Sequence, residues 1–446
     1  MTTHLRKLWD SLKSSYWFVP LVMMALAAVV WYGTNALDHM SARDKKAITW
    51  LYISDADSMR TLLLTIAAAI IGTIGVVFSI IMVPLSIAAS QFGPRLLRNF
   101  LRDTGTQVTL GTFTSTFIFC MLVLLHLSDK AEQSLPQISV NVALLLGLTS
   151  FAILIYFINH VAVSIQAPVL VSRVSKELHT AIDHELPDRS NAVSATVISD
   201  KNSEIIFDSK LANTVVIALA SGYVQARDDS RLLRIAEENN IVLQLLSQPG
   251  DFIVKNTPLA VVRPNVALEK LNNTINAAFI LGSKRTLVQD VTFGINELVE
   301  VAIRALSPAI NDPFTAMTCL DWLGSALCHM SARPFPPPKL FDHQGNLRLI
   351  RTPVTFTNLA DAAFNQIREY GRTSRAVTLR LMETIKVVAQ CIKTEEQRKA
   401  LLHHATLVER GCHIGLPEES DQNMITNCYQ EVKDLIGIDE YKTALL

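Results

Sequence analysis

The chain has no surplus of either charge. Its 446 residues carry 40 Lys and Arg against 40 Asp and Glu. Of these, 11 basic and 8 acidic residues precede residue 170, leaving 29 and 32 after it. A C-terminal region of that balance has no broad electrostatic footprint for nucleic acid, which is excluded as a partner. Cysteine is scarce. Five of the six (Cys319, Cys328, Cys391, Cys412, Cys428) lie in the C-terminal part, at spacings that suit neither a disulfide framework nor a zinc site. A reducing compartment is expected for that region. The pairs Cys328-His329, Cys412-His413 and His403-His404 place adjacent side chains in different directions on a helix, so no metal site is expected there. A Walker phosphate loop, a nucleophile-elbow serine and a His-Glu-x-x-His helix are also missing. No catalytic residue, metal or cofactor is expected, and the chain is not expected to be an enzyme.

What the sequence does have is long apolar runs. Residues 16–37, 62–90, 108–127 and 140–165 each supply about the 20 apolar residues that cross roughly 30 Å of hydrocarbon. The first run is too long for a cleavable signal peptide and lacks a small-x-small site. The third, rich in Thr and Ser, leaves open a buried core helix. Ahead of the first, Leu5, Leu8, Trp9 and Leu12 share a helical face with Arg6, Lys7 and Lys13 around the other, as in an interfacial helix. Short-loop charges give orientation. Arg6, Lys7, Lys13, Arg95, Arg98, Arg102, Arg173 and Lys176 outnumber Arg43, Lys45, Lys46, Arg60 and Lys130 on the opposite side. The positive-inside rule then places both termini in the cytoplasm of a multi-pass inner-membrane protein.

The second run is the most informative. Ala68, Gly72, Gly75, Ser79, Ser86 and Ser90 recur along one helical stripe, Pro84 interrupts the helix near its end, and Gln91 opens the segment that stops it. Small residues let membrane helices approach closely, which is one reading. The other is a pore wall formed when several copies surround an axis, with Gly72, Gly75, Ser79, Pro84, Ser86, Ser90 and Gln91 as lining candidates. No Asp, Glu, Lys or Arg lies deep in any run, which argues against a proton relay, a voltage sensor or a mid-membrane carboxylate site. Thr112, Thr114, Ser115, Thr116, Thr149 and Ser150 are expected to bond their own helix backbone. His160 is expected as a water-exposed interfacial residue, with a titrating gate as the alternative.

The expected fold class is an α-helical membrane domain of four transmembrane helices plus a cytoplasmic α+β domain, a small β-barrel or sandwich followed by helices. The divisions are an interfacial helix (1–15), the four-span domain (16–169), a linker helix (170–190) and a β-rich domain (191–265). After these come a helical segment (266–332), a Pro-rich connector with a hairpin (333–357) and a helical region (358–446). In the β-rich part, short runs at 193–198, 205–207, 221–225, 241–246, 252–254 and 259–262 are separated by turn chemistry. A helix at 230–238 follows the capping residues Asp228 and Asp229. The sequence from Pro249 to Val254, followed by Thr257-Pro258-Leu259, resembles the strand–turn–strand of barrel-sandwich hybrid folds related to biotinyl and lipoyl carriers. The carrier lysine turn is missing, so covalent cofactor attachment is not implied. Asp183-His184-Glu185, after the last run, reads as a solvated linker.

At 306–316 a helix breaks and restarts: Asp312 suits a cap and Pro313 the first helical position. Glu297, Glu300 and Arg304 share one helical face, with Asp290 further back on roughly the same side. Asp290, Glu297, Arg304, Ser307, Asn311 and Asp312 are candidates for a sensor pocket or an inter-subunit latch, or simply for an ion-paired face before a capped turn. The same run resembles the signature of a bacterial family of predicted integral membrane proteins catalogued as a domain of unknown function. The matching residues are Asp290, Phe293-Gly294-Ile295, Ala305-Leu306-Ser307-Pro308 and Asn311-Asp312-Pro313-Phe314-Thr315-Ala316. Ser90-Gln91-Phe92 with Pro94-Arg95, Ser221-Gly222-Tyr223-Val224-Gln225 and Tyr370-Gly371 match as well. Gly93 departs from the family's Gln-Phe-Ser-Pro-Arg form. The resemblance implies a multi-pass inner-membrane protein with a cytoplasmic domain and no established activity. A homo-oligomeric channel or pore-like transporter in the lipid bilayer is the first expectation, its ion or solute open. A membrane-anchored sensor or scaffold is the second, and a lipid-acting enzyme the third.

Overall fold

A computed structural model of the chain describes residues 17–44, 53, 55–92, 103–129, 135–186, 213–264 and 269–443. The interfacial helix expected at 1–15 and the strands at 193–198 and 205–207 lie outside the described residues. Two compact units emerge, residues 1–169 and 170–446.

The first unit is four helices: α1 (Phe18–Asp44), α2 (Ala56–Phe92), α3 (Thr104–Asp129) and α4 (Gln137–Ser164). All four are long and apolar enough to cross a membrane. The helix α2 runs on through Pro84, where an interruption was expected. In apolar surroundings a freed backbone group has no water to turn to, so the helix persists past the proline. The third helix is the hub. Half of its apolar window is buried, against 17–22 % in the other three, and α1, α2 and α4 all pack on it. Two clusters form along it. One holds Met59, Leu63, Phe119, Val123 and Val140; the other holds Ile70, Val77, Phe113 and Phe157.

Buried hydroxyls on α3 bond back to their own helix, Thr109 to the Gly105 carbonyl at 2.8 Å and Thr112 to that of Val108 at 2.9 Å. Thr116 differs, meeting Ser150 of α4 at 3.0 Å. Each end of the bundle carries a buried carboxylate. Pro136 cannot cap α4 with a side chain, so Asp38 of α1 does it. Its oxygens accept from the N–H groups of Ile138 (2.7 Å) and Ser139 (3.0 Å) and from the Ser139 hydroxyl (2.6 Å). At the opposite end Asp103 accepts from the Thr106 N–H at 3.1 Å and meets His160 Nε2 at 2.6 Å. His160 is thus half-buried, paired and stacked on Tyr156, where a water-exposed residue was expected.

The second unit begins on α5 (Ala167–Glu185), whose Leu170, Val174, Leu178 and Ile182 form an apolar stripe. Strands β1 (Thr214–Ile217), β2 (Gly222–Arg227), β3 (Val242–Leu245), β4 (Phe252–Ile253) and β5 (Pro258–Arg263) follow, with α6 (Asp229–Glu238) after β2. Next come α7 (Glu269–Asn276), β6 (Phe279–Gly282), α8 (Val291–Ala305) and α9 (Pro313–Ser331). The chain ends with β7 (Lys339–Phe341), β8 (Leu347–Ile350), α10 (Phe356–Gly371), α11 (Arg375–Ala389), α12 (Glu395–Gly415) and α13 (Glu419–Thr443).

Of the barrel or sandwich expected, no closed barrel forms among the described residues. Five strands form an open sheet in the order β1-β5-β3-β8-β7, and three form a second, β4-β2-β6. The likeness to a carrier strand–turn–strand fails on the same ground, because β4 pairs with β2 while β5 pairs with β1 and β3. Both sheets share one core with α6 and α7, through Val216, Val224, Leu232, Leu243, Val262 and Ile275. Asp228 caps α6 by accepting from the Arg231 N–H at 2.9 Å. The helices α8 to α13 pack on one another around Leu320, Leu323, Phe356, Phe364, Ile385 and Leu401.

Candidate functional site

The stripe on α2 faces outward. Gly72, Gly75, Ser79 and Ser86 are exposed, and a Cβ built on Gly72 or Gly75 meets nothing within 4 Å. Ala68, part of the expected stripe, is exposed too, and Thr61, Thr65 and Ala69 extend the same face toward the start of the helix, a continuation that the sequence reading did not include. The hydroxyls of Thr65 and Ser79 bond the carbonyls four residues back, at 2.7 and 3.1 Å. The inward face is the bulky one, with Met59, Leu63, Ile70 and Val77 buried. Large residues flank the stripe, Leu64, Ile71, Val76, Phe78 and Val83 being exposed, as Leu21, Leu26, Val29 and Tyr32 are on α1 and Leu148, Phe151, Ile155 and Ile158 on α4. Glycines that do bring spans together lie elsewhere. A Cβ on Gly111 of α3 would meet Met23 and, at 3.3 Å, the Pro20 Cα of α1. Pro84, Ser90 and Gln91 lie on α2, but their side chains fall outside those described.

The second candidate segment is built from local caps and pairs. Asp290 caps α8, accepting from the Phe293 N–H at 3.0 Å, and receives Arg285 in a fork at 2.7 and 2.9 Å. Gly250 covers that pair. At φ +97° it adopts a backbone conformation that side chains disfavour, and a Cβ there would stand 2.5 Å from Asp290 Oδ2. Asp290 therefore ties the start of α8 to the turn between β3 and β4. Glu297 is buried, and Glu300 pairs with Arg304 at 3.3 Å along the helix. Ser307 donates to the Arg304 carbonyl at 2.7 Å. Asn311 takes a left-handed φ of 49° to close the break, and Asp312 caps α9 by accepting from the Thr315 N–H at 3.1 Å. Asp290 and Asp312 sit at opposite ends of α8, about 22 Å apart at 1.5 Å per residue, and so cap two different helices. The turn between them is open to solvent, and Phe314 is 74 % exposed.

Beside the segment runs an ion network. Arg227 is buried. It donates to Asp229 at 2.6 Å and to the Ser247 carbonyl at 2.8 Å, while its backbone exchanges hydrogen bonds with the Gln289 side chain. Arg351 closes on the other Asp229 oxygen. Glu185 borders the same pocket, and burial raises its carboxyl above the usual range despite the neighbouring His184. Asp183 is exposed and also paired. It accepts from His329 at 2.7 Å and pairs with Arg333, and the His329 hydrogen bond lowers its pKa. Among the described residues no group of three His, Cys, Asp or Glu could hold a metal.

Residues 13–387 match a family described as Predicted membrane protein (DUF2254). Over 445 residues, 98 % of this chain, the sequence is 27 % identical to an uncharacterised protein of Mycobacterium bovis, covering 83 % of that protein. Uncharacterised proteins of Mycobacterium tuberculosis strains H37Rv and Oshkosh match with the same identity and coverage. No solved structure matches the chain.

Proposed function

The chain belongs to this family of predicted membrane proteins, and we propose that it acts as a homo-oligomer in the bacterial inner membrane, with α2 of each copy turned to a shared axis. There the small, hydroxyl-bearing face would line a path for ions or small solutes. One observation carries the reading: the inward face of α2 is bulky, and among the large residues it exposes, such as Leu64, Ile71, Phe78 and Val83, runs a stripe of small ones, Gly72, Gly75 and Ser79. Lipid-facing surfaces have no use for Gly72, Gly75 and Ser79 in a row, whereas helices meeting across an axis do. Packing within the protomer leaves the polar groups of α3 bonded internally, so the path is expected between copies and not through one. The C-terminal unit, on the cytoplasmic side with both termini, would assemble and gate the path.

Ion flux through purified protein in sealed liposomes tests this, with Gly75→Leu and Ser79→Leu alongside. Position 75 meets nothing in its own protomer, so the variant is expected to fold and to lose or alter flux. Unchanged conductance in both variants would falsify the assignment. Absence of flux under every salt, pH and osmotic condition would favour the second reading, a membrane-anchored sensor or scaffold. The open turn at 311–314, with Phe314 exposed, is the surface that supports it.

A further inference from the structure

In the C-terminal unit, α10, α11 and α12 enclose a cavity of about 280 Å³. Three cations line it, the part-buried Arg368 and the exposed Arg372 at the end of α10 and the exposed Arg410 from α12, against one carboxylate, the exposed Glu369. Among the described residues none of the three guanidinium groups makes a hydrogen bond or an ion pair, and the Nε of Arg368 is fully buried without a partner. Arg227, Arg285, Arg348 and Arg351, in the same unit, are by contrast all ion-paired. Buried donors are normally satisfied, and cations brought together without anions repel. Arginines near a helix C-terminus can complement its free carbonyls, which would account for Arg368 and Arg372. No such bond is made here, and Arg410 belongs to another helix. The rest of the wall is mostly apolar, with Ile367, Val377 and Leu381 buried and the hydroxyl of Thr378 donated to the Gly371 and Ser374 carbonyls. Gly411 leaves room: a Cβ there meets nothing within 4 Å.

We propose that this cavity binds a phosphate-bearing molecule, the phosphate held by the three arginines and an apolar portion against the aliphatic wall. Guanidinium forks match phosphate oxygens in pairs, and two or three of them suit a doubly charged group. A volume near 280 Å³ admits a small organic phosphate or the headgroup end of a lipid. The assignment does not depend on the reading of α2.

The test is calorimetric titration of the full chain in neutral detergent with inorganic phosphate, hexyl phosphate, dihexanoyl phosphatidate and hexanol. Hexyl phosphate should bind more tightly than inorganic phosphate, and hexanol not at all. Arg368→Gln and Arg410→Gln should each weaken binding about tenfold or more. Gly411→Leu should abolish it by filling the cavity while leaving the thermal melt intact or raised, because leucine favours a helix over glycine. Phosphatidate that displaces hexyl phosphate would identify a lipid headgroup as the source, and binding of the short phosphates alone would identify a soluble one. Either result supports the site. Binding that is absent, or that survives both arginine variants and Gly411→Leu, overturns it.

Discussion

Asp290 does three jobs at once, and removing them separately tests the account of the segment around it. It caps α8, holds Arg285 in a fork and lies under Gly250. Its side chain is 2 % exposed and that of Arg285 27 %, so the pair is partly screened. Charge-assisted hydrogen bonds contribute about 1.5–3 kcal/mol, taken here near 2 for the exposure of Arg285. A lost cap costs about 1 kcal/mol. Asp290→Asn keeps the cap and gives up the charge, costing about 1–2 kcal/mol, whereas Asp290→Ala loses both and costs about 3. At about 2–4 °C per kcal/mol for a unit of this size, the melts should fall by about 2–8 °C and 6–12 °C. Gly250→Ala should approach the larger loss without touching Asp290, because strain and the contact with the carboxylate add. The two defects are coupled, so the Gly250→Ala, Asp290→Ala double variant should cost less than their sum. Differential scanning calorimetry of the full chain gives the melts, and hydrogen exchange should place the loss in the first turn of α8. Equal destabilisation by Asn and Ala, or additive costs in the double variant, would refute the reasoning.

Two further outcomes follow from the geometry. Gly111→Leu should force α1 away from α3 against the Pro20 backbone and lower the melting temperature of the detergent-solubilised protein, by overpacking of about 1–3 kcal/mol. Gly72→Leu, with open space around it, should leave the monomer's melt unchanged, so a fall there would contradict the placement of α2. The hairpin of β7 and β8 should weaken in acid. Burial alone would raise the Asp342 carboxyl, but hydrogen bonds from the Asn346 and Gln344 N–H groups, Arg348 and the Asn346 side chain outweigh it and hold its pKa down at about 2. A depressed carboxylate gives stability above its unfolded pKa and loses it as pH falls, here between about pH 4 and 2. Exchange protection of 347–350 should drop across that window in the wild type and stay flat in Asp342→Asn.

Local chemistry was readable from the sequence, and long-range pairing was not. Apolar runs of sufficient length marked the four spans, and the Asp228 and Asp312 caps followed from residue type and position. The strands β2 to β5 stood out between turn residues. By contrast β1 and β6 are four-residue pieces whose place is fixed by partners far along the chain, β5 and β2, and no local period announces them. A barrel or sandwich was inferred from strands close in sequence, but the larger sheet takes its last two strands from beyond residue 338, with β8 laid parallel to β3. The role of Asp38 has no local signal, because it depends on Pro136, far along the chain, which cannot cap α4. The arginine cavity was half visible: Arg368 and Arg372 are one turn apart, yet nothing in the sequence brings Arg410 to them.

The central place of α3 has a bearing on how the protein is made. Its neighbours α1 and α2 make little direct contact with each other, and each packs chiefly on α3. Synthesis delivers those two helices first, so for a time they occupy the bilayer with no partner to hold them at a fixed spacing. The bundle cannot close until the third helix has inserted between them, and Asp38 finds the amides it caps only when the fourth arrives. A chain halted after the second helix would therefore leave the Asp38 carboxylate and the bulky face of α2 without the partners that bury them in the complete bundle.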